Sequence, residues 1–141
     1  MQFSNKDIEA INAIIGLPEK SGDNSKTWKM FNEKTGQSLI FSLSDYSSSE
    51  QENQISTIVS AQNNQGYFEL HNCTSYMIFE PNEIIFIEAS TTSISTLTIS
   101  NEANLSMFAN INRRLLHSDL ASLEPPLLLS AMQLSLIEPL I

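Results

Sequence analysis

Few residues of this chain have the types and spacing that chemistry needs. His71 and Cys73 stand two apart and would face one side of a shared strand, offering two soft ligands with Glu69 or distant His117 as further donors. A structural zinc site draws on more Cys and His than one Cys and two His supply, so the pair reads as a strand-end His beside a buried Cys. His117-Ser118-Asp119 holds the three residue types of a hydrolytic triad, yet neighbours in sequence do not point at one another as a proton relay requires. Ser118 or Asp119 reads instead as the cap of a short helical turn. Glu80, Glu83 and Glu88 gather near one turn without the spacing of a calcium loop, and read as solvated charges that discourage edge-to-edge aggregation. The four glycines, Gly16, Gly22, Gly36 and Gly66, are isolated, so neither a phosphate-cradling loop nor a dinucleotide fingerprint can be built. Scattered carboxylates lining a cleft are the remaining route to catalysis. The expectation is a protein that is not an enzyme, with no catalytic residue, metal ligand or cofactor.

Charge narrows the partners. Between Thr35 and Asn112 there is no Lys or Arg, while Asp45, Glu50, Glu52, Glu69, Glu80, Glu83, Glu88 and Glu102 fall inside that stretch, and the chain as a whole carries −9. Phosphate backbones and acidic lipid surfaces are bound by clustered cations, so nucleic acid is excluded as an expected partner. Arg113-Arg114 is the one basic pair after Lys34, placed where strands give way to helix. It is suited to a salt bridge with the acidic sheet, within the monomer or across a dimer, or to contact with an anion or a peptide carboxylate.

The elements that must position these residues follow from local chemistry. Ser4 with Asp7 three residues on, and Phe3 with Ile8, mark the start of a helix over Asn5–Ile15, whose Ile8, Ile11, Ile14 and Ile15 form one stripe. Gly16 and Pro18 end it. Period-two alternation through Trp28 and Met30, then Leu39, Phe41 and Leu43, predicts a hairpin about a turn at 33–36. The serine-rich acidic segment 44–53 (SDYSSSEQEN) reads as a mobile connection. Strands are then expected over 55–59, 67–71, 76–79, Glu83–Ala89, Ser93–Ser100 and 105–109, with turns at 63–66 and 80–82. The sum is about six or seven antiparallel strands. A short helical turn over 112–117 precedes a terminal helix opened by Pro125-Pro126 and stopped by Pro139. Its Leu127, Leu128, Ala131, Met132, Leu134 and Leu136 cover more than one face, so it should be deeply buried or shared with a partner.

Length and composition fit one α+β domain over 1–141: an antiparallel sheet flanked by an N-terminal helix and C-terminal helices. A single Cys permits no intrachain disulfide, and residues 1–7 lack the pattern of a secretory leader, so a cytoplasmic protein is expected. The glycosylation-type triplets Asn72-Cys73-Thr74 and Asn104-Leu105-Ser106 are then chance matches. The most apolar segment, 125–137, is too short to span a bilayer.

The capped Asn5–Ile15 helix ending in Gly16-Leu17-Pro18, the strands from Trp28 onward and the apolar terminal helix together resemble small cytosolic chaperones of type III secretion and related YbjN-like domains in architecture. This chain departs from the secretion-chaperone pattern by lacking a helix between its strands. The resemblance implies a non-catalytic protein that holds a segment of another protein or assists an assembly, with a protein partner or a homo-dimer. The residue reading agrees: the apolar terminal helix and the run Ile84-Ile85-Phe86-Ile87 offer more hydrophobic surface than a thin monomer needs. Arg113, Arg114, Leu128, Met132 and Leu136 are the expected partner-binding residues. The alternative is a small-ligand or sensory domain, with a pocket between sheet and helices lined by Trp28, Phe41, Phe68 and Phe86.

Overall fold

In the computed structural model the described residues are 3–48, 51–117 and 119–140. Among the described residues the chain forms helix α1 (Asn5–Ile15), nine strands and helix α2 (Pro125–Ile137). Strands β1 (Lys20–Ser21), β2 (Ser25–Asn32), β3 (Gln37–Ser48), β4 (Gln51–Asn63) and β5 (Gly66–Leu70) pair in chain order as one antiparallel sheet. Strands β6 (Ser75–Phe79), β7 (Glu83–Ala89), β8 (Ser93–Ser100) and β9 (Leu105–Asn112) form a second. The expected single sheet of about six strands is thus two consecutive meanders, of five and four strands.

Helix α1 begins as its sequence dictates. The Ser4 hydroxyl accepts from the Asp7 N–H, and the Asp7 carboxylate accepts from the Ser4 N–H at 2.7 Å, completing a capping box. Gly16 closes the helix with φ of 93°, a conformation a side chain would strain. Ile11 is buried among residues from both sheets, and the Trp28 indole N–H is shared between Asn12 Oδ1 at 3.0 Å and the Gly16 carbonyl at 3.1 Å.

The first core lies between the sheets. Alternation sends Trp28, Leu39, Phe41, Leu43, Val59, Ala61 and Leu70 inward from the first sheet to meet Ile84, Phe86, Leu97 and Ile99 of the second. Trp28 stacks on Phe41 with ring centroids 4.8 Å apart, and Phe41 contacts Phe86 at 5.2 Å. Such pairs add about 0.5–1.5 kcal/mol each beyond the area they bury. Trp28, Phe41 and Phe86 therefore fill the core, and Phe68 packs against it.

The second core lies on the opposite face of the four-stranded sheet. There Ile85, Ile87, Ile94 and Ile111 meet Leu134 and Ile137 of α2. The run 84–87 is consequently buried on both sides, Ile84 and Phe86 in one core and Ile85 and Ile87 in the other. Its hydrophobic excess is consumed inside the protein, which corrects the expectation that the run marks an interface.

Segment 44–53 is also corrected where it is described. The β3–β4 pairing continues past β2 and β5 through Tyr46↔Ser56 and Ser47↔Ile55, so it is a projecting two-stranded ribbon rather than a loose connection. Residues 49 and 50 of that segment lie outside the described residues. Among the described residues no helix is long and apolar enough to cross a membrane.

Candidate partner-binding face

Helix α2 reaches its position through an irregularity in β9. Between the pairs Ile94↔Ile111 and Thr96↔Phe108 the register shifts, and Asn110 takes φ of 54° while its N–H donates to Ser95 Oγ at 2.9 Å. Asn tolerates the left-handed region because its side chain carries little steric penalty there. The extra residue of such a bulge inverts the facing of everything after it. Leu105 and Met107 point to the first core, Phe108 to the second, and the bulge returns Ile111 to the second as well.

Two residues later the chain enters a 3-10 turn, Arg113–His117, beneath the end of α2. The Arg113 guanidinium donates to Glu138 Oε1 at 2.9 Å and to the Ser90 carbonyl at 2.9 Å. This tie joins β9, the β7–β8 loop and the C-terminal end of α2. A carboxylate at that end opposes the helix dipole, and the guanidinium offsets it. Arg113 of the basic pair thus forms an intramolecular salt bridge, but with Glu138 at the end of α2 and not with the acidic strands expected as its partner. Arg114 is exposed, its N–H bonded to Asn112 Oδ1.

The opposite side of α2 faces outward. Ala131, Leu134 and Ile137 are buried, while Leu129, Met132 and Leu136 are 56%, 58% and 40% exposed. Positions 125, 129, 132 and 136 advance by four, three and four residues, which puts them on one helical stripe. Leu128 is half-buried beside the stripe, whereas Leu127, 50% exposed, lies on the other side of the first turn. Pro125–Ile137 contains no ionisable side chain, and Glu124 stands exposed at its N-terminal end without a side-chain capping bond. The structure thus brings Met132 and Leu136 together on one surface, leaves Leu128 at its margin and commits Arg113 to the fold. Leu129 belongs to the same stripe and was not among the expected residues; the spacing to Met132 and Leu136 is the signal that identifies it. Burying a Leu or Met side chain is worth about 1.5–3 kcal/mol, so this half-exposed stripe retains several kcal/mol of unrealised hydrophobic stabilisation.

The other candidate chemistry is dispersed. His71 follows the end of β5 and pairs with Glu69 at 2.7 Å, whereas Cys73 is buried in the first core and its thiol contacts the Ser75 carbonyl at 3.2 Å. They do not share a strand. Burial pushes the Cys73 thiol up to about 11, which leaves it protonated at neutral pH and a poor nucleophile. Among the described residues no group of three or more His, Cys, Asp or Glu is placed to hold a metal ion. Of the triad-like triplet, Ser118 lies outside the described residues; Asp119 accepts from the Ala121 N–H at 3.1 Å, the capping geometry its type suggested. Thr57 Oγ1 contacts Asp45 Oδ1 at 2.6 Å beside a cavity of about 150 Å³ that Lys26, Asp23, Phe3 and Ile8 also line.

Compared with protein-family models, curated proteins and solved structures, the chain matches none of them.

Proposed function

We propose that this protein works by binding polypeptide rather than by catalysis, as a small cytoplasmic chaperone or assembly factor whose docking face is the outer side of α2. The observation that carries this reading is the uncharged stripe Leu129, Met132 and Leu136 on a helix whose inner side is already engaged. Large apolar side chains grouped on a surface are the usual mark of an interaction site. The architectural resemblance to secretion chaperones points the same way, and the anionic stretch 36–111 disfavours nucleic acid as the ligand.

The test is a photo-crosslinking residue introduced at Met132, with a control at exposed Gln62 on the first sheet. Adducts with a polypeptide in native extract are expected from position 132 and not from 62. Equal labelling from both sites, or none from either, rejects the reading.

A second reading has its own observation, the cavity of about 150 Å³ near the start of α1, lined by the carboxylates of Asp23 and Asp45, the ammonium group of Lys26 and the apolar Phe3, Ile8 and Leu43. Such a site suits a small zwitterion or polar metabolite. Screening by thermal shift decides it: a selective ligand raises Tm for the wild type and not for Asp45→Asn.

A further inference from the structure

We infer that α2 is a cover that lifts off the second sheet while the two sheets stay packed together, an opening transition built into the fold. It concerns the inner side of the helix and goes beyond the docking role of the outer side.

The two cores are unequal. Among the described residues the first holds fourteen buried hydrophobic residues and the second six, of which α2 supplies Leu134 and Ile137. Hydrophobic stabilisation follows buried apolar area, so the layer beneath α2 is the weaker one. That layer also carries polar atoms left unsatisfied while the helix is down. Alternation in β6 and β8 puts Ser75 and Thr96 on the face that bears Met77, Ile87 and Ile94. Ser75 Oγ and Thr96 Oγ1 on this face, with Gln133 Nε2 and Glu138 Oε2 from the helix, are buried without a hydrogen-bond partner among the described residues. Among those residues the one further atom of this kind is Gln37 Oε1 in β3. Lifting α2 returns the four atoms to water, so their desolvation favours the open form.

Little else holds the helix down. A capping box fixes the start of α1, whereas Glu124 gives α2 no side-chain cap, and the last turn of α2 has no basic residue to meet the helix dipole. The Arg113–Glu138 pair at 2.9 Å ties that end, with both partners partly solvated. Among the described residues the connection 113–124 has no regular structure beyond two short 3-10 turns, so it serves as a hinge and not as a strut. A helix of thirteen residues is marginal by itself in water. Once lifted, α2 therefore loses its amide protection, and Ile85, Ile87, Ile94 and Ile111 are bared.

Native-state hydrogen exchange of the whole chain in increasing urea tests this. The Leu134 and Ile137 amides should be at least about 100-fold less protected than those of Phe41 and Leu97, with a weak urea dependence because little surface opens. Thr96→Val removes one unsatisfied hydroxyl with little change of shape and should slow exchange at Leu134 and Ile137 about threefold or more. Thiol labelling separates an uncovered sheet from a merely fraying helix: in Thr96→Cys the new thiol should react at least about 30-fold faster than Cys73, which is buried in the first core. Exchange of Leu134 and Ile137 at the rate and urea dependence of Phe41 and Leu97 overturns the inference. So does a thiol at position 96 as slow as Cys73, or a Thr96→Val variant whose α2 exchanges as fast as wild type.

Discussion

The Tyr76 hydroxyl donates to Asp7 Oδ1 at 2.7 Å, joining the first turn of α1 to the edge strand of the second sheet across 69 residues of chain. The same carboxylate closes the capping box with Ser4. One side chain thus both starts the helix and docks it.

Acid and alkali should therefore act on this one contact. Burial opposes ionisation of Asp7, but hydrogen bonds from Tyr76 and Ser4 outweigh it and hold the carboxyl below its ordinary 3.8. Its contribution is complete above that value and is lost as pH falls through the lower folded one. Burial, then the bond to Asp7 and its charge, raise Tyr76 from 10.0 to about 12, so its contribution is complete below 10.0 and is lost as pH rises toward 12. Tyr76→Phe should cost about 1 kcal/mol in urea unfolding at pH 7 and lessen the decline at both extremes. An unchanged stability profile between pH 2 and 12 would show that the contact contributes nothing.

Trp28 pins the other end of α1 through Asn12 and Gly16. Trp28→Ala removes a large, fully buried side chain and should cost about 3–5 kcal/mol, and Asn12→Ala about 1 kcal/mol. Circular dichroism monitored through denaturation gives both values. Equal, small losses would mean that the stacked Trp28–Phe41 pair is not central to the first core.

Asn110 holds its positive φ at the bulge that turns Ile111 toward α2. Asn110→Gly should be nearly neutral, while Asn110→Val should cost about 1–2 kcal/mol. The calorimetric Tm ranks the three proteins. A valine variant as stable as wild type would show that the register shift does not depend on residue type.

Arg113→Met severs the tie to Glu138 and Ser90. Both partners of the ion pair are partly solvated, so the global cost should be about 1 kcal/mol or less. Amide hydrogen exchange should accelerate in α2 more than in the strands, because local opening follows local stability. Uniform acceleration throughout the chain would contradict the local role.

Where local start and stop signals bracket an element, sequence alone located it. The staple, capping box and proline stops gave α1 and α2 with their observed limits, and β7 and β8 were bounded by turns on both sides. The ribbon over 44–53 was missed because β2 and β5 stop opposite Ser44 and Val59, so no neighbouring strand continues beside the pairing beyond them. The division into two sheets was hidden for a different reason: period two assigns faces but not partners across a gap. The bulge at Asn110 broke the period within β9, so that strand was expected to stop early, at 109. At the candidate face, apolar residues all around α2 signalled that something must cover it. Which of them face outward is decided by the second sheet, and Leu129 became visible only with that sheet in place.

Strands β7 and β8 are sandwiched, with isoleucines on both sides of one wall. Because α2 follows them in the chain, a ribosome completes the whole wall before the segment that shields its outer side has emerged. During that interval the nascent protein displays contiguous β-forming residues without a charge among Ile84, Ile85, Phe86 and Ile87, the composition most prone to cross-β self-association. The order of synthesis therefore leaves the outer side of this wall without its cover until 125–137 has been made.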